Sequence, residues 1–100
     1  MKDVYRIEEI TKIIKENEKV LLFVADHACT TAQALDQKIE EFVADHQEVI
    51  GIRTNLKAAP TLPSVYMVLT APTVVLFKEG REVFREGRFL QFEELEAAIK

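Results

Sequence analysis

Cys29 is the only cysteine in the sequence, and it is the residue best suited to nucleophilic chemistry. A cysteine thiolate attacks disulfides and forms a mixed disulfide with its target. At the start of a helix, unpaired backbone N–H groups and the helix dipole favour this thiolate over the thiol. Because the chain holds no second cysteine that could resolve a mixed disulfide, release would need an outside thiol.

The neighbours of Cys29 in the sequence act on it in opposite directions. A protonated His27 would stabilise the thiolate, whereas the carboxylate of Asp26 would oppose it. The sequence does not show whether His27 or Asp26 lies closer to the Cys29 sulfur, so the direction of the pKa shift of Cys29 stays open. A second interpretation also stays open, in which Cys29 is a small apolar residue tucked under a loop, as free cysteines often are.

The apolar pattern predicts that Cys29 lies between a buried strand and a helix. Residues 20–25 are apolar without alternation, which is typical of a strand covered on both faces. Apolar residues then recur at helical spacing over residues 32–43. The polar side of this helix, which we expect to be solvated, carries Asp36, Glu40 and Glu41.

The remaining pattern predicts one α/β domain over residues 1–100, with a mixed central sheet flanked by helices. The predicted elements are a short strand around residues 4–7, a helix from 7 to near 18, a strand over 48–53, a short helical or irregular piece near 65–69, strands over 72–77 and 82–85, and a final helix with Phe92, Leu95 and Ile99 on one face. The strands before and after the second helix should pair in parallel through a right-handed crossover. The last two strands should form an antiparallel hairpin around residues 78–81.

Composition and charge exclude several classes of function. A net charge of −4 without a basic stripe argues against nucleic acid or membrane partners. The longest apolar run is far shorter than the roughly 20 residues that span a bilayer, and the N-terminus does not resemble a secretory signal, so we predict a cytoplasmic protein. Two histidines and one cysteine are too few for a structural zinc site, and we expect no metal and no cofactor.

Residues 66–80 carry a family resemblance. They read YMVLTAPTVVLFKEG and are similar to the Tyr-x-Ile/Val-x-x-x-Pro-Thr-x-x-x-Phe-Lys-x-Gly segment of the thioredoxin family. The order of elements over residues 4–99 resembles that family as well, which implies a βαβ half followed by a ββα half. In this resemblance Pro72 corresponds to the family's cis-proline, and Ala71 would offer backbone groups to an extended peptide. Alternatively, Pro72 is an ordinary trans proline at the start of a strand.

The resemblance also implies the place of the redox motif. Matching from the strand side puts Ala28 at the family's first cysteine and Thr31 at its second, whereas matching from the helix side puts Cys29 first and Ala32 second. We prefer the helix side, because a loop absorbs one extra residue more easily than a buried helix face rotates by about 100°. The motif is then Cys29-Thr30-Thr31-Ala32, with the two threonines shaping the first helical turn.

The resemblance therefore predicts a thioredoxin-like protein with a single motif thiol. Leu22 stands where the family has a buried Asp that handles protons for its second cysteine, so both groups are missing together. We predict thiol–disulfide exchange through mixed disulfides in cell redox homeostasis, not dithiol reduction, with a thiol or disulfide of a partner protein or a low-molecular-weight thiol as partner. The protein is expected to be a monomer or a weak homodimer. The alternative is a redox-inactive module of the same fold that binds a partner protein.

Overall fold

The computed structural model describes residues 1–26 and 30–100 of the chain, with residues 30–32 described by their backbone alone. Its elements are β1 (Lys2–Asp3), α1 (Ile7–Glu16), β2 (Lys19–Ala25), α2 (Thr30–Asp45), β3 (Ile50–Asn55), α3 (Leu62–Tyr66), β4 (Thr73–Lys78), β5 (Arg81–Glu86) and α4 (Phe92–Ile99). The strands form one sheet in the order β1-β3-β2-β4-β5.

Strand β2 lies at the centre of the sheet. It pairs in parallel with β3 and antiparallel with β4, and six consecutive residues from Val20 to Ala25 are buried. The unalternated apolar run predicted this, since a strand covered on both faces has no side that needs polar residues. The antiparallel pairing of β4 with β5 confirms the predicted hairpin, and the parallel pair joined by α2 confirms the predicted βαβ unit.

Two apolar cores cover the two faces of the sheet. The first includes Ile10 and Ile14 of α1 and Leu62 of α3, packed with Leu22 and Val75 of the sheet. The second consists of residues from α2 and α4 packed with the other face of the same strands; its helical members include Leu35, Ile39, Phe42, Leu95 and Ile99. The predicted fold class, a mixed sheet flanked by helices, is confirmed.

Several predicted boundaries differ from the structure by two residues or more; strand β3, for example, comprises Ile50–Asn55 instead of residues 48–53. The first strand comprises Lys2–Asp3 instead of residues 4–7, because the ladder with β3 ends once the Val4 N–H has donated to the Arg53 carbonyl (2.8 Å). Helix α1 ends at Glu16 instead of near residue 18, because the backbone of Asn17 is extended. The short helix comprises Leu62–Tyr66 instead of 65–69: a proline occupies its first turn, where no N–H bond is lost, and left-handed Met67 ends it.

An ion-pair network attaches α2 to the edge of the sheet. The Arg53 guanidinium on β3 donates to Asp3 (2.7 Å) and to Asp36 (2.6 Å) and Glu40 (3.3 Å) of α2, and the Met1 amino group donates to Glu40 (3.1 Å). Hydrogen bonding to Asp3 is the largest cause of a raised Arg53 pKa. The polar side of α2 is therefore not simply solvated, as we had expected: two of its three acids contact the sheet.

Candidate functional site

The sheet register brings the segment around Pro72 next to the end of the central strand. Thr73, the first residue of β4, pairs with Val24 of β2, one residue before β2 ends at Ala25. The chain then passes through residues 26–29 and begins α2 at Thr30. The peptide bond between Ala71 and Pro72 is cis. The end of β2 and this cis bond therefore lie at the same end of the sheet.

The structure describes the predicted site residues unequally. His27, Ala28 and Cys29 lie outside the described residues. Thr30, Thr31 and Ala32 form the first turn of α2, and their side chains also lie outside the description. Ala71 is half-buried and Pro72 is buried. Since α2 begins at Thr30, Cys29 directly precedes the helix in the sequence.

Arg85 of β5 anchors the loop that leads to the cis bond. Its guanidinium donates to the carbonyl oxygens of Tyr66 (2.7 Å) and Met67 (2.9 Å), at the end of α3, and to both carboxylate oxygens of Glu82 (2.8 and 2.9 Å). The hydrogen bonds between Arg85 and Glu82 raise the pKa of Arg85 and lower the pKa of Glu82. The Thr73 hydroxyl donates to the Thr70 carbonyl (2.7 Å). The loop is therefore held at both of its ends.

Large apolar side chains are exposed on this loop. Met67 and Leu69 are 73% and 72% exposed. They line a cavity of about 360 Å³ that also borders Thr73 and Gly87. A Cβ at Gly87 would lie 3.4 Å from the Pro72 carbonyl oxygen, at van der Waals contact. Sequence reasoning missed Met67 and Leu69, because neither belongs to a periodic pattern.

The centre of the sheet offers no proton carrier. Leu22 is fully buried in the first core, among Ile10, Ile52 and Val75. Within residues 1–26 and 33–100, the only buried polar side chains are those of Thr54 and Thr73, and no Asp or Glu is buried. A carboxyl group that could pass a proton to the motif through the central strand is absent from this part of the chain.

In the part of the chain that the structure describes, no group of three or more His, Cys, Asp or Glu residues could hold a metal ion. No described helix combines the length and the apolar character needed to cross a membrane.

A mixed sheet in the order β1-β3-β2-β4-β5, with helices on both faces and a cis-proline opening β4, is the thioredoxin fold. A solved structure of a Plasmodium falciparum thioredoxin has a TM-score of 0.86 to this chain; the match covers 99% of this chain and 97% of that one, at 17% sequence identity. The family model described as Thioredoxin matches residues 4–100. The chain belongs to the thioredoxin family, which confirms the resemblance carried by residues 66–80.

Two curated relatives match along the whole chain. A thioredoxin-like protein of Bacillus subtilis, YdfQ, is 24% identical over 100 residues, which are 100% of this chain and 89% of the relative. A thioredoxin of Mycoplasmoides gallisepticum is 23% identical over 100 residues and is covered completely, as is this chain. The family is one of thiol–disulfide redox proteins that act on thiols or disulfides of partner proteins.

Proposed function

We propose that this protein exchanges thiols and disulfides through one cysteine, Cys29, by way of mixed disulfides. The observation that supports the proposal is the start of α2 at Thr30, which directly follows Cys29 in the sequence; the cis Ala71–Pro72 bond beside the end of β2 supports it as well. Backbone N–H groups at a helix start favour a thiolate. The absence of another cysteine from the sequence then limits the chemistry to one sulfur.

The exchange consists of two displacements. The Cys29 thiolate attacks one sulfur of a partner disulfide, a new S–S bond forms to Cys29, and the other sulfur leaves as a thiolate. A second, external thiolate then attacks the mixed disulfide, takes over the partner sulfur in a new disulfide and releases Cys29 as a thiolate. Electrons balance at each displacement, and the external thiol is the reductant. The cytoplasm, our proposed location, supplies such thiols, since glutathione keeps it reducing.

The edge around Ala71 would hold the incoming partner. Met67 and Leu69 expose apolar surface on the loop that leads to Ala71. Extended peptides bind such edges through main-chain hydrogen bonds, with side chains in neighbouring pockets. Arg85 keeps the loop in place before a partner arrives, which lowers the entropy cost of binding.

The pH dependence of Cys29 alkylation tests this proposal. We expect the rate to rise with an apparent pKa well below the unperturbed value of about 8.5, because the helix start stabilises the thiolate. The measurement is the second-order rate of iodoacetamide modification from pH 4 to 10, with Cys29→Ser as the blank. An apparent pKa at or above the unperturbed value would contradict the proposal and leave a redox-inactive binding module.

A resolving cysteine placed at residue 32 should convert the protein into a dithiol. Residues three apart at a helix start face each other, whereas residues two apart do not. We therefore expect Ala32→Cys to form an internal disulfide with Cys29 and to gain catalytic reduction of protein disulfides. Free thiols counted after mild oxidation, together with turnover of a protein disulfide, measure the gain.

Thr31→Cys is the matched control for this experiment. It adds the same thiol one residue earlier, at the position that the strand-side alignment assigns to the second cysteine. We expect it to keep its free thiols and to show no turnover beyond that of the added small thiols alone. If Thr31→Cys gained the activity and Ala32→Cys did not, the helix-side alignment would be wrong.

A further inference from the structure

The proposed partner-binding edge around Ala71 borders the cavity between the loop after α3 and the end of β5. The volume of this cavity is about 360 Å³. Thr70 and Thr73 line it, and they flank the cis Ala71–Pro72 bond. Since consecutive Cα atoms lie about 3.8 Å apart, or about 2.9 Å across a cis bond, a peptide held against Ala71 has a side chain within reach of the cavity. The lining of the cavity therefore bears on which partner side chain is accepted.

Exposed apolar groups form one part of this lining. Met67 and Leu69 line the cavity and are exposed, so water covers the methylene and methyl groups of both side chains. A partner side chain that packs against them removes this apolar area from water, which favours binding. The occupant should therefore have an aliphatic part.

Glu86 places a carboxylate without an ion pair at the same cavity. Its Oε1 accepts the backbone N–H of Gly87 (3.0 Å), and Gly87 lines the cavity as Glu86 does, so the carboxylate lies at the border of the cavity. Glu86 is exposed and forms no ion pair with the residues that the structure describes. This carboxylate can therefore pair with a cation of a partner.

The other charged group on the lining is already compensated. The Arg85 guanidinium donates to both carboxylate oxygens of Glu82 (2.8 and 2.9 Å) and to two backbone carbonyls, which uses four of its five N–H donors. Arg88, the next cation along the chain, lines a different cavity beside α2. Among the described residues on the lining, the charge that stays uncompensated is that of Glu86, which favours a cationic occupant.

Lysine and arginine side chains combine the two features that this lining favours. Each has an aliphatic stem that packs on apolar surface and a charged end that stays at the water boundary. A purely aliphatic side chain would leave the Glu86 carboxylate without a partner, and an acidic side chain would be repelled by it.

We propose that this cavity binds a lysine or arginine side chain of the partner peptide, with its stem on Met67 and Leu69 and its charged end at the Glu86 carboxylate. The protein thereby selects partner disulfides that lie beside a basic residue. This assignment rests on the proposed function, because the peptide is the partner of Cys29. The cavity supplies binding alone and takes no part in the transfer of electrons.

Binding is tested without thiol chemistry, in the ¹⁵N-labelled Cys29→Ser variant. The probes are three blocked peptides that have lysine, norleucine or glutamate on both sides of a central serine. We expect saturable shifts of the backbone amides of residues 67–70 and 85–87. The lysine peptide should bind roughly three- to fivefold more tightly than the norleucine peptide, as an exposed ion pair allows, and the glutamate peptide should bind most weakly.

Three variants separate the charge from the apolar contact. Glu86→Gln should remove the preference for lysine and leave the norleucine peptide unaffected, since glutamine still accepts the Gly87 N–H. Glu96→Gln removes the same charge near the start of β2, at the other end of the sheet, and should keep the preference. Leu69→Gln should weaken the lysine and norleucine peptides to a similar degree.

Several outcomes of this titration would overturn the proposal. They are an absence of saturable shifts, shifts outside the cavity, equal affinity for the lysine and norleucine peptides, tighter binding of the glutamate peptide, and a preference for lysine that survives Glu86→Gln. Loss of the preference in Glu96→Gln would overturn it as well, because the net charge of the protein would then be its cause.

A kinetic measurement separates this proposal from the proposed function. The same peptides, with a central cysteine that carries a 2-pyridyl disulfide, react with the protein that has Cys29 intact. The Cys29 thiolate attacks the peptide sulfur, a new S–S bond forms between them, and the pyridyl sulfur leaves as 2-thiopyridone. Rates are divided by those of 2-mercaptoethanol with each peptide, which removes differences in intrinsic reactivity.

We expect the lysine peptide to react faster than the norleucine peptide by the factor found in binding, and Glu86→Gln to abolish the difference. Equal normalised rates would overturn the cavity's role in selecting partners. If Cys29 titrates normally while Cys29→Ser still prefers the lysine peptide, the proposed function fails and the cation-binding cavity stands. If Cys29 is reactive and the preference is absent, the cavity proposal fails alone.

Discussion

Arg85 shows how one side chain fixes the geometry of the proposed partner-binding edge. It joins β5 to the last carbonyls of α3, which have no partner within the helix. We expect Arg85→Met to lower the free energy of unfolding by about 1–2 kcal/mol, because two charge-assisted hydrogen bonds are lost at a partly exposed site. Mixed-disulfide formation with a partner peptide should slow at the same time. Urea denaturation and stopped-flow exchange measure the two effects.

Arg81→Met is the control for this change, since Arg81 is exposed on the same strand and its side chain forms no hydrogen bond or ion pair within the described residues. It should change the free energy of unfolding by less than about 0.5 kcal/mol.

The effect of Arg85→Met should also depend on pH. The folded-state pKa of Glu82 is lowered, so the Arg85–Glu82 contribution is present above about pH 4.5 and is lost as pH falls through the lowered value. A loss of stability that stayed the same down to pH 2 would contradict the role of this pair.

At the scale of elements, the turn between β4 and β5 has Glu79 at a position where Asn would be more favourable. Lys78 pairs with Arg81, and both intervening residues have positive φ: 53° at Glu79 and 81° at Gly80. Two-residue turns of this kind favour Asn-Gly, because a residue with a Cβ is strained there. We expect Glu79→Asn to raise the free energy of unfolding by about 0.5–1 kcal/mol and Gly80→Ala to lower it by about 1–2 kcal/mol. Thermal denaturation of both variants measures the difference.

The space around Gly80 allows the conformational cost of Gly80→Ala to be measured without a steric contribution. No atom lies within 4 Å of a Cβ added there, so the cost of Gly80→Ala is conformational alone. Glu79 donates its backbone N–H to the Glu18 carbonyl (2.7 Å), and asparagine keeps this bond. If Gly80→Ala were neutral, the turn would not have the conformation described.

Local sequence predicted those elements whose signal is local. The apolar run of β2 and the glycine turn before β5 each identify an element from a few adjacent residues. The motif around Pro72 also identified the family. The end of α3 was missed, because left-handed Met67 has a residue type that rarely adopts this conformation.

The candidate site depends more on contacts between distant residues. Arg85 reaches a carbonyl 19 positions earlier, and Arg53 pairs with a carboxylate 50 positions earlier. Neither contact has a spacing that a periodic pattern could reveal. Met67 and Glu86 also line one cavity only because the fold brings together the loop after α3 and the end of β5. The fold could therefore be predicted more fully than the site.

At the scale of the whole molecule, one sheet separates two apolar cores that pack against different helices. The core under α2 and α4 supports the helix that follows Cys29 in the sequence. The core under α1 and α3 contains Leu22, in the position that the family resemblance assigns to a buried Asp. At this position an apolar side chain therefore packs with Ile52 and Val75.

Restoring an acid in this core should destabilise the protein in a way that depends on pH. Leu22 is fully buried among apolar side chains, so Leu22→Asp places a carboxyl group where no described polar group is buried except two threonines. We expect a loss of about 3–5 kcal/mol of unfolding free energy even when the carboxyl is protonated, from lost packing and an unpaired polar group. Burial raises the folded-state pKa of the new Asp above its unfolded value of about 3.9, so the loss grows as pH rises from 4 towards the raised pKa. Leu22→Asn should show a loss of similar size that does not change over this range, because its amide does not titrate. Urea denaturation between pH 4 and 8 measures both variants, and a small, pH-independent loss in Leu22→Asp would contradict the burial of residue 22 in this apolar core.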